Sequence, residues 1–192
     1  MIKLKQFNTW ERYFDPTHPK YKYQVVRHAW FMDRVKGESF LDVGCSGGLA
    51  LFLAGKNENV KKLCGIDIDS ISLKMAEDRL LKYKNKEVIL KVSDVSNIPF
   101  DSNSFDTVLC GETLEHVTDD CKVIKEIVRV SKPGATILIS VPKDGHLSRQ
   151  HVRLYNRKKL NQLTNGAGLT IIEESEMKAS KNGYYLLSNL VK

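Results

Sequence analysis

The chain has 192 residues, 42% of them hydrophobic and 28% charged, and a formal net charge of +7. This length suits one well-buried domain rather than two, and the composition is that of a globular protein, not of a fibrous or disordered one. The N-terminus lacks an apolar segment followed by a small-residue cleavage site, and no apolar run approaches the roughly 20 residues that cross a bilayer. We therefore expect a cytoplasmic protein without a membrane span.

Short apolar segments alternate with segments of helical periodicity along the chain. Strands are predicted at 39–43, 62–68, 87–92, 105–111, 135–141, 169–175 and 184–191. Helices are predicted at 19–36, at 49–54, from Ser70 as a cap, from Thr118 or Asp119 to the Lys132-Pro133-Gly134 stop, and at 157–166.

This alternation predicts an α/β fold: three layers, doubly wound, around a mostly parallel sheet of seven strands. Only a short turn, SKNG at 180–183, separates the last two strands. They are therefore expected to form a hairpin, with one antiparallel strand at the edge of the sheet.

Residues 40–48, FLDVGCSGG, form a glycine corner at the end of the first predicted strand. In open parallel sheets, ligands bind beyond the carboxyl ends of the strands. Glycines there allow the backbone to approach a ligand closely, although a tight strand-to-helix connection would use the same residues. Asp67 ends the second strand about 20 residues later, where an acid accepts hydrogen bonds from ribose hydroxyls. The glycine corner and Asp67 together favour a nucleotide site.

The type of nucleotide follows from what the corner lacks. A triphosphate site would have Gly-Lys-Ser/Thr after the glycines, and a dinucleotide site would have GxGxxG; neither is present. Asp42, directly before the corner, would repel a pyrophosphate but attract an ammonium group. These constraints fit a nucleoside that carries a cationic amino-acid tail.

Four linked segments resemble the five motifs of the class I S-adenosylmethionine-dependent methyltransferases. They are LDVGCSGG, GIDIDSISLKMA, SDVSNIPFDSNSFDTVLCGETLEHVTD, which resembles the third and fourth motifs together, and RVSKPGATILISVP. The match covers roughly residues 38–142, in the family's order and spacing. It implies a Rossmann-like methyltransferase fold, S-adenosyl-L-methionine as cofactor and S-adenosyl-L-homocysteine as product. We expect residues 37–192 to form the methyltransferase domain and residues 1–36 a helical cap or lid.

The resemblance implies a role for individual residues around the cofactor. Asp42 and the Gly44 backbone would hold the methionine amino group, within a corner that includes Cys45, Ser46 and Gly48. Asp67 would bind the ribose, Ile68 would lie against the adenine, and Asp94 and Val95 would bind its polar edge. Cys110 and Gly111 would line the methionine side, and Arg27 would bind the cofactor carboxylate. The family usually has glycine where this chain has Ser46.

The catalytic candidates lie after the fourth and fifth strands. GETLEHV contains Glu112 and His116, and RQHVRLY contains His151. Methyl transfer from a sulfonium is an in-line displacement, so a general base is needed only where the acceptor carries a proton. His116 or His151 would be that base, with Glu112 shaping the pocket. This arrangement resembles the small-molecule O-methyltransferases, including those of quinone biosynthesis, although nitrogen and carbon acceptors stay open.

Two alternatives differ in chemistry. Glu112, Glu115, His116 and His151 would make a two-carboxylate, two-histidine metal site, a pattern that resembles the small-RNA 3′-terminal 2′-O-methyltransferases. Residues 1–36 carry eight Lys/Arg against three Asp/Glu, and residues 143–159 carry six against one. That charge would suit an RNA end, although solvated lysines produce the same excess. The other alternative is a protein that binds the cofactor without catalysis.

Overall fold

The computed structural model describes residues 9–142, 150–180 and 183–191, and the side chains of residues 10–142 and 150–177. Residues 1–8 of the predicted cap and 143–149 of the basic segment after the fifth strand lie outside this part. The strands are β1 Ser39–Val43, β2 Lys62–Asp67, β3 Glu87–Val92, β4 Phe105–Gly111, β5 Ser131–Pro142, β6 Thr170–Ser180 and β7 Gly183–Val191. The helices are α1 Thr9–Phe14, α2 Tyr21–Met32, α3 Leu49–Ala54, α4 Ser70–Leu80, α5 Asp120–Val130 and α6 Arg157–Asn165.

The strands form one sheet in the order β3-β2-β1-β4-β5-β7-β6. Strands β1 to β5 are parallel, and β7 is antiparallel to both of its neighbours. The predicted α/β class and mostly parallel sheet are confirmed. The predicted antiparallel edge strand is wrong, because β7 lies between β5 and β6 and the edge strand is β6. The sequences explain why β6 and not β7 is the edge strand: β7 reads GYYLLSNLV, whereas β6 reads TIIEESEMKAS and carries the acidic residues that suit an edge.

Side chains that alternate along the central strands build a core on each face of the sheet. Phe40 of β1 and Leu109 of β4 belong to the core beneath α2, α3 and α4. Their neighbours Leu41 and Cys110 belong to the other core, beneath α5 and α6. A strand covered on both faces has apolar side chains in succession, and this explains why the central segments read as continuous apolar runs.

The helix boundaries follow from local capping. Asp69 caps α4, because its Oδ1 accepts the Ile71 N–H at 3.0 Å; the expected cap, Ser70, is the first helical residue. Asp119 caps α5 in the same way. Helix α2 is shorter than the predicted segment, and Arg34 beyond its end is paired with Glu173 of β6. Within the described residues, no helix has the length and apolarity needed to span a membrane.

Asp106 joins the starts of β1 and β4. Its Oδ2 accepts hydrogen bonds from the Glu38 and Ser39 N–H groups and the Ser39 hydroxyl, and its Oδ1 pairs with Lys132 at 2.8 Å. Burial by itself would raise the pKa of Asp106, but the hydrogen bonds from Lys132, Ser39 and the backbone lower it to about 2.

We expect Asp106→Asn to lower the free energy of unfolding at pH 7 by about 1–3 kcal/mol, because several donors lose a charged acceptor. The folded-state pKa lies below the unfolded value, so this stabilisation is complete above about pH 4 and disappears as the pH falls through about 2. Denaturant unfolding at several pH values measures it. Asp78→Asn, which removes only an exposed partner of Lys74, is the matched control and should change little. A difference between Asp106→Asn and the wild type that does not shrink in acid would contradict this account.

Candidate active site

A cavity of about 800 Å³ opens at the carboxyl ends of β1, β2 and β4. Its walls come from the glycine corner after β1, the loops after β2, β3 and β4, and one face of α2. This is the edge of a parallel sheet where ligands bind in doubly wound folds. Most of the residues predicted from sequence meet here: Asp42, Gly44, Cys45, Ser46, Asp67, Ile68, Asp94, Val95, Gly111, Glu112, Glu115, His116, His151 and Arg27 line the cavity.

The glycine corner is a sharp turn whose shape depends on left-handed backbone. Gly44 has φ +79°, and a Cβ at this position would lie 2.4 Å from the Thr113 hydroxyl. Ser46 has φ +45°, a conformation that is energetically unfavourable for a residue other than glycine. Serine therefore adopts the left-handed backbone that glycine would adopt more easily at this position. The N–H groups of Gly44 and Cys45 both donate to the Ile66 carbonyl at 2.9 Å. The corner is therefore fastened to β2.

Asp67 provides the second link between the two strands. Its Oδ2 accepts the Ser46 N–H at 2.8 Å, and its Oδ1 accepts the Asp69 N–H at 2.9 Å. A carboxylate has about four acceptor positions, so these two bonds leave others for a ligand. The carboxylate is consequently held at the mouth of the cavity in one orientation.

Asp42 is a buried carboxyl, with 5% of the residue exposed. Burial and, after it, the nearby negative charge of Asp67 raise its pKa, Arg27 partly opposes both effects, and the resulting pKa is about 7. Asp42 is therefore close to half protonated near neutral pH. A cation bound beside it would favour the ionised form.

Two residues that the resemblance assigned to the cofactor lie outside the cavity. Cys110 is fully buried in the core beneath α5, because side chains alternate along β4 and only Leu109 and Gly111 reach the cavity. Gly48, the residue that precedes α3, has φ +76°, and a Cβ there would lie 2.7 Å from the Ala76 Cβ. Gly48 thus allows α3 to pack against α4.

The far end of the cavity contains the expected adenine residues. Ile68 is 74% exposed, and an apolar side chain left this open suits a flat ring. Asp94 accepts the Ser96 N–H at 2.7 Å, and the hydrogen bonds from Ser96 lower its pKa, so it is an ionised acceptor. Val95 lies between Asp94 and Ser96 in sequence and also lines the cavity.

Glu112 directly follows β4 and has a strained conformation, with φ +56°. The Ser140 hydroxyl donates to its Oε1 at 3.1 Å, and the Arg27 Nη1 lies 3.6 Å from the same oxygen. Burial raises the pKa of Glu112, and the charge of Arg27 opposes that rise. The strain and this pairing hold Glu112 against the α2 wall, away from the other three residues of the predicted metal group.

Glu115, His116 and His151 do come together. One ligand atom from each lies within 4.8 Å of the others, and Glu112 is not part of this group. Glu115 is 1% exposed, and burial followed by repulsion from Glu112 raises its pKa to about 9. Its Oε2 is buried without a hydrogen-bond partner among the described residues. Glu115 is therefore protonated at neutral pH unless a cation binds beside it.

His116 has a defined orientation. Its Nδ1 lies 3.0 Å from the Gln150 carbonyl, which can only accept, so Nδ1 carries the proton. The other ring nitrogen, Nε2, then has a lone pair and lies 3.8 Å from Glu115 Oε1. The His151 ring is 5.1 Å away, centroid to centroid. This arrangement leaves Nε2 able to accept a proton or to bind a metal.

On the α2 wall, the sequence assigned a specific contact only to Arg27, and it gave no indication of Gln24, His28 or Phe31. Tyr23, Gln24, His28 and Phe31 also line the cavity. Burial lowers the pKa of His28 to about 3, so it is neutral, and its Nδ1 lies 2.7 Å from the Gln24 carbonyl. The available signal was the i, i+1, i+4 spacing of these residues around Arg27, which predicts one helix face.

Comparisons with known proteins agree with this geometry. Residues 41–139 match the family model described as "Methyltransferase domain". The ubiquinone biosynthesis O-methyltransferase of Paracidovorax citrulli is 35% identical over 126 residues, which cover 64% of this chain and 52% of that protein. The chain spans about half the length of the curated relatives of this kind that it matches.

Solved structures share the fold at low sequence identity. The [4+2]-cyclase SpnF superimposes with a TM-score of 0.78 at 16% identity, over 89% of this chain and 82% of that one. Phosphoethanolamine N-methyltransferase 2 of Haemonchus contortus, solved with S-adenosyl-L-methionine, also gives 0.78 at 21% identity, over 96% and 56%. Because the family model covers more than half of the chain, the protein belongs to the class I S-adenosylmethionine-dependent methyltransferases.

Proposed function

We propose that this protein transfers a methyl group from S-adenosyl-L-methionine to a hydroxyl oxygen of a small molecule. The observation that carries the proposal is that the glycine corner, Asp67 and His116 all line the same cavity. The cavity would take an amino-acid tail and a ribose at the glycine corner and Asp67, and His116 would serve as the proton acceptor.

The cofactor would lie along the sheet edge from the corner towards β3. Asp42 and the Gly44 backbone would hold the methionine ammonium, and Asp67 has acceptor positions left for the ribose hydroxyls. Ile68, Asp94 and Val95 would bind the adenine. Arg27, on the opposite wall, would balance the methionine carboxylate. Residues 9–36, with α2 as the wall, would act as the cap of the domain formed by residues 37–192.

The acceptor would react beside His116. When bound, the cofactor would supply the methyl group: the acceptor oxygen would form the new carbon–oxygen bond, and the electron pair of the broken carbon–sulfur bond would stay on the departing thioether. The hydroxyl proton passes to His116 Nε2, which already has a lone pair because Nδ1 donates to Gln150. His151 packs against this ring. Because the similar Paracidovorax protein is an O-methyltransferase of ubiquinone biosynthesis, phenolic hydroxyl compounds are the first acceptors to test.

Cofactor binding should depend on the ionisation of Asp42. An ammonium group beside Asp42 requires the ionised carboxylate, whose pKa is about 7 in the free protein. We expect S-adenosyl-L-homocysteine affinity to fall by on the order of tenfold per pH unit below pH 7, with proton release on binding. Calorimetry from pH 5.5 to 7.5 measures both, since the cofactor's own groups keep their charge in this range.

Asp42→Asn is the control for that titration. It should bind more weakly at pH 7.5 and lose most of the pH dependence, because no carboxyl remains to titrate. If Asp42→Asn retains the steep pH dependence of the wild type, another group is responsible and the placement of the ammonium is wrong.

The role of His116 can be tested by His116→Gln. We expect kcat to fall by about 10²- to 10⁴-fold with a phenolic acceptor, while the Kd for S-adenosyl-L-homocysteine is unchanged, because the histidine acts on the acceptor. Transfer of a labelled methyl group gives kcat, and calorimetry gives Kd. His18→Gln, which lies outside the cavity lining, should leave both unchanged. An unaltered kcat in His116→Gln would exclude it as the base.

A second candidate is a metal-assisted methyltransferase, with RNA 3′ ends as the acceptor. The observation in its favour is the group of Glu115, His116 and His151, whose two imidazoles and one carboxylate suit a transition metal. A bound cation would also account for the buried Glu115 oxygen, because it would favour the ionised carboxylate.

Glu115→Gln separates the two candidates. With His116 as the base, Glu115 is protonated at neutral pH, so the neutral amide should preserve most of the activity. If a metal is bound, Glu115→Gln removes a ligand and the activity of the variant should fall sharply. A chelator should then also abolish the activity of the wild-type protein. Cofactor binding without methyl transfer to phenols or RNA ends would instead support a non-catalytic binding protein.

A further inference from the structure

Arg79 of α4 contacts both the glycine corner and the N-terminal helix α1. Its Nη1 donates to the Gly47 carbonyl at 2.7 Å. Its guanidinium carbon lies 4.4 Å from the centroid of the Trp10 ring, within the range of a cation–π contact. One side chain therefore joins a turn of the candidate cofactor site to a helix that precedes the sheet by more than 20 residues.

The absence of a side chain at position 47 is explained by this contact. A Cβ on Gly47 would lie 2.2 Å from Arg79 Nη1, and Gly47, unlike Gly44 and Gly48, has no left-handed φ that would require glycine. Glycine at this position thus leaves room for the guanidinium against the backbone. An alanine would push the end of Arg79 away from the corner and from Trp10.

Trp10 also packs on the helix that follows the corner. Its ring lies 4.8 Å from Phe52 of α3 and 4.7 Å from Phe14 of α1. Arg79 is half-buried between these elements, and burial lowers its pKa. Helix α1 is therefore seated on α3 and α4, the two helices whose first residues follow the ends of β1 and β2.

The corner needs external support because its backbone is strained. Ser46, next to Gly47, has φ +45° and donates its N–H to Asp67. The Gly47 carbonyl bond to Arg79 fixes the peptide that follows. Movement of Arg79 would thus alter the turn that presents the Gly44 to Ser46 backbone to the cavity.

We propose that Arg79 is a positioning residue that couples the seating of α1 to the geometry of the glycine corner. The proposal rests on the proposed function, since the ligand of the corner is the cofactor. Coupling is reciprocal: if seated α1 favours cofactor binding, bound cofactor stabilises seated α1 by the same factor. Trp10, Arg79 and Gly47 then act as one unit.

The first experiment measures S-adenosyl-L-homocysteine affinity by calorimetry. We expect Arg79→Met to weaken binding by about tenfold, the scale of one hydrogen bond from a charged donor, and Arg79→Lys to weaken it less. Arg34→Met is the matched control, because Arg34 lies 4.0 Å from the Trp30 ring in an equivalent stack remote from the corner. Thermal unfolding verifies that each variant is folded.

The second experiment measures hydrogen exchange of the α1 amides with and without S-adenosyl-L-homocysteine. Ligand should slow exchange in wild-type protein and have little effect on α1 in Arg79→Met or Trp10→Ala. A merely structural role for Arg79 would leave this ligand effect intact. Gly47→Ala alone should weaken S-adenosyl-L-homocysteine binding. In protein that already carries Arg79→Met, it should cause little further loss of affinity, because the guanidinium that the alanine would displace is absent.

Three results overturn the proposal: wild-type affinity in Arg79→Met, an equal loss in Arg34→Met, or additive losses in the Trp10→Ala, Arg79→Met double variant. Wild-type protein that fails to bind S-adenosyl-L-homocysteine refutes the proposed function, and the coupling fails with it. Wild-type protein that binds while Arg79→Met binds equally well refutes the coupling alone.

Discussion

The hydrogen bond from the Ser46 N–H to Asp67 is the interaction on which the candidate site depends. It ties the turn after β1 to the end of β2, and the two N–H groups that bond the Ile66 carbonyl reinforce it. The strained φ of Ser46 persists because these bonds hold it. The same link brings Asp42 and Asp67 close enough for their charges to interact, and this repulsion contributes to the raised pKa of Asp42. Geometry and electrostatics of the corner therefore have one origin.

Three buried carboxyl groups of the cavity share one buried arginine. Asp42, Glu112 and Glu115 all have raised pKa values; Arg27 opposes the rise at each of them, and Lys20 also opposes it at Glu112. Such a site favours ligands that bring positive charge. A cofactor with an ammonium and a sulfonium would allow Asp42 to ionise, whereas Glu115 stays neutral unless a further cation approaches it. One Arg27 thus makes the protonation of three carboxyls interdependent.

Much of the fold could be predicted because the apolar runs, caps and glycines act locally. The strands from β1 to β5 follow from short apolar segments with turn residues between them, and Asp67 follows from its spacing to the corner. The position of β7 could not be read from periodicity, because a hairpin is compatible with either strand at the edge, and the choice depends on which strand tolerates exposure. Cys110 was misplaced for a similar reason: only the alternation along β4, seen in three dimensions, decides which face a residue joins.

The separation of Glu112 from the Glu115 group shows where sequence spacing misleads most. A three-residue interval would place both carboxylates on one face of a helix, but the segment after β4 is a short 3-10 turn preceded by the left-handed Glu112. That conformation turns Glu112 towards Arg27 and Ser140, while Glu115 and His116 turn towards Gln150 and His151. The backbone at one residue therefore places the two parts of a continuous motif in different parts of the cavity: Glu112 lies beside Arg27 on the α2 wall, and Glu115 and His116 lie beside His151. The conformation of this one glutamate thereby decides which side chains would be left to act on the proposed acceptor.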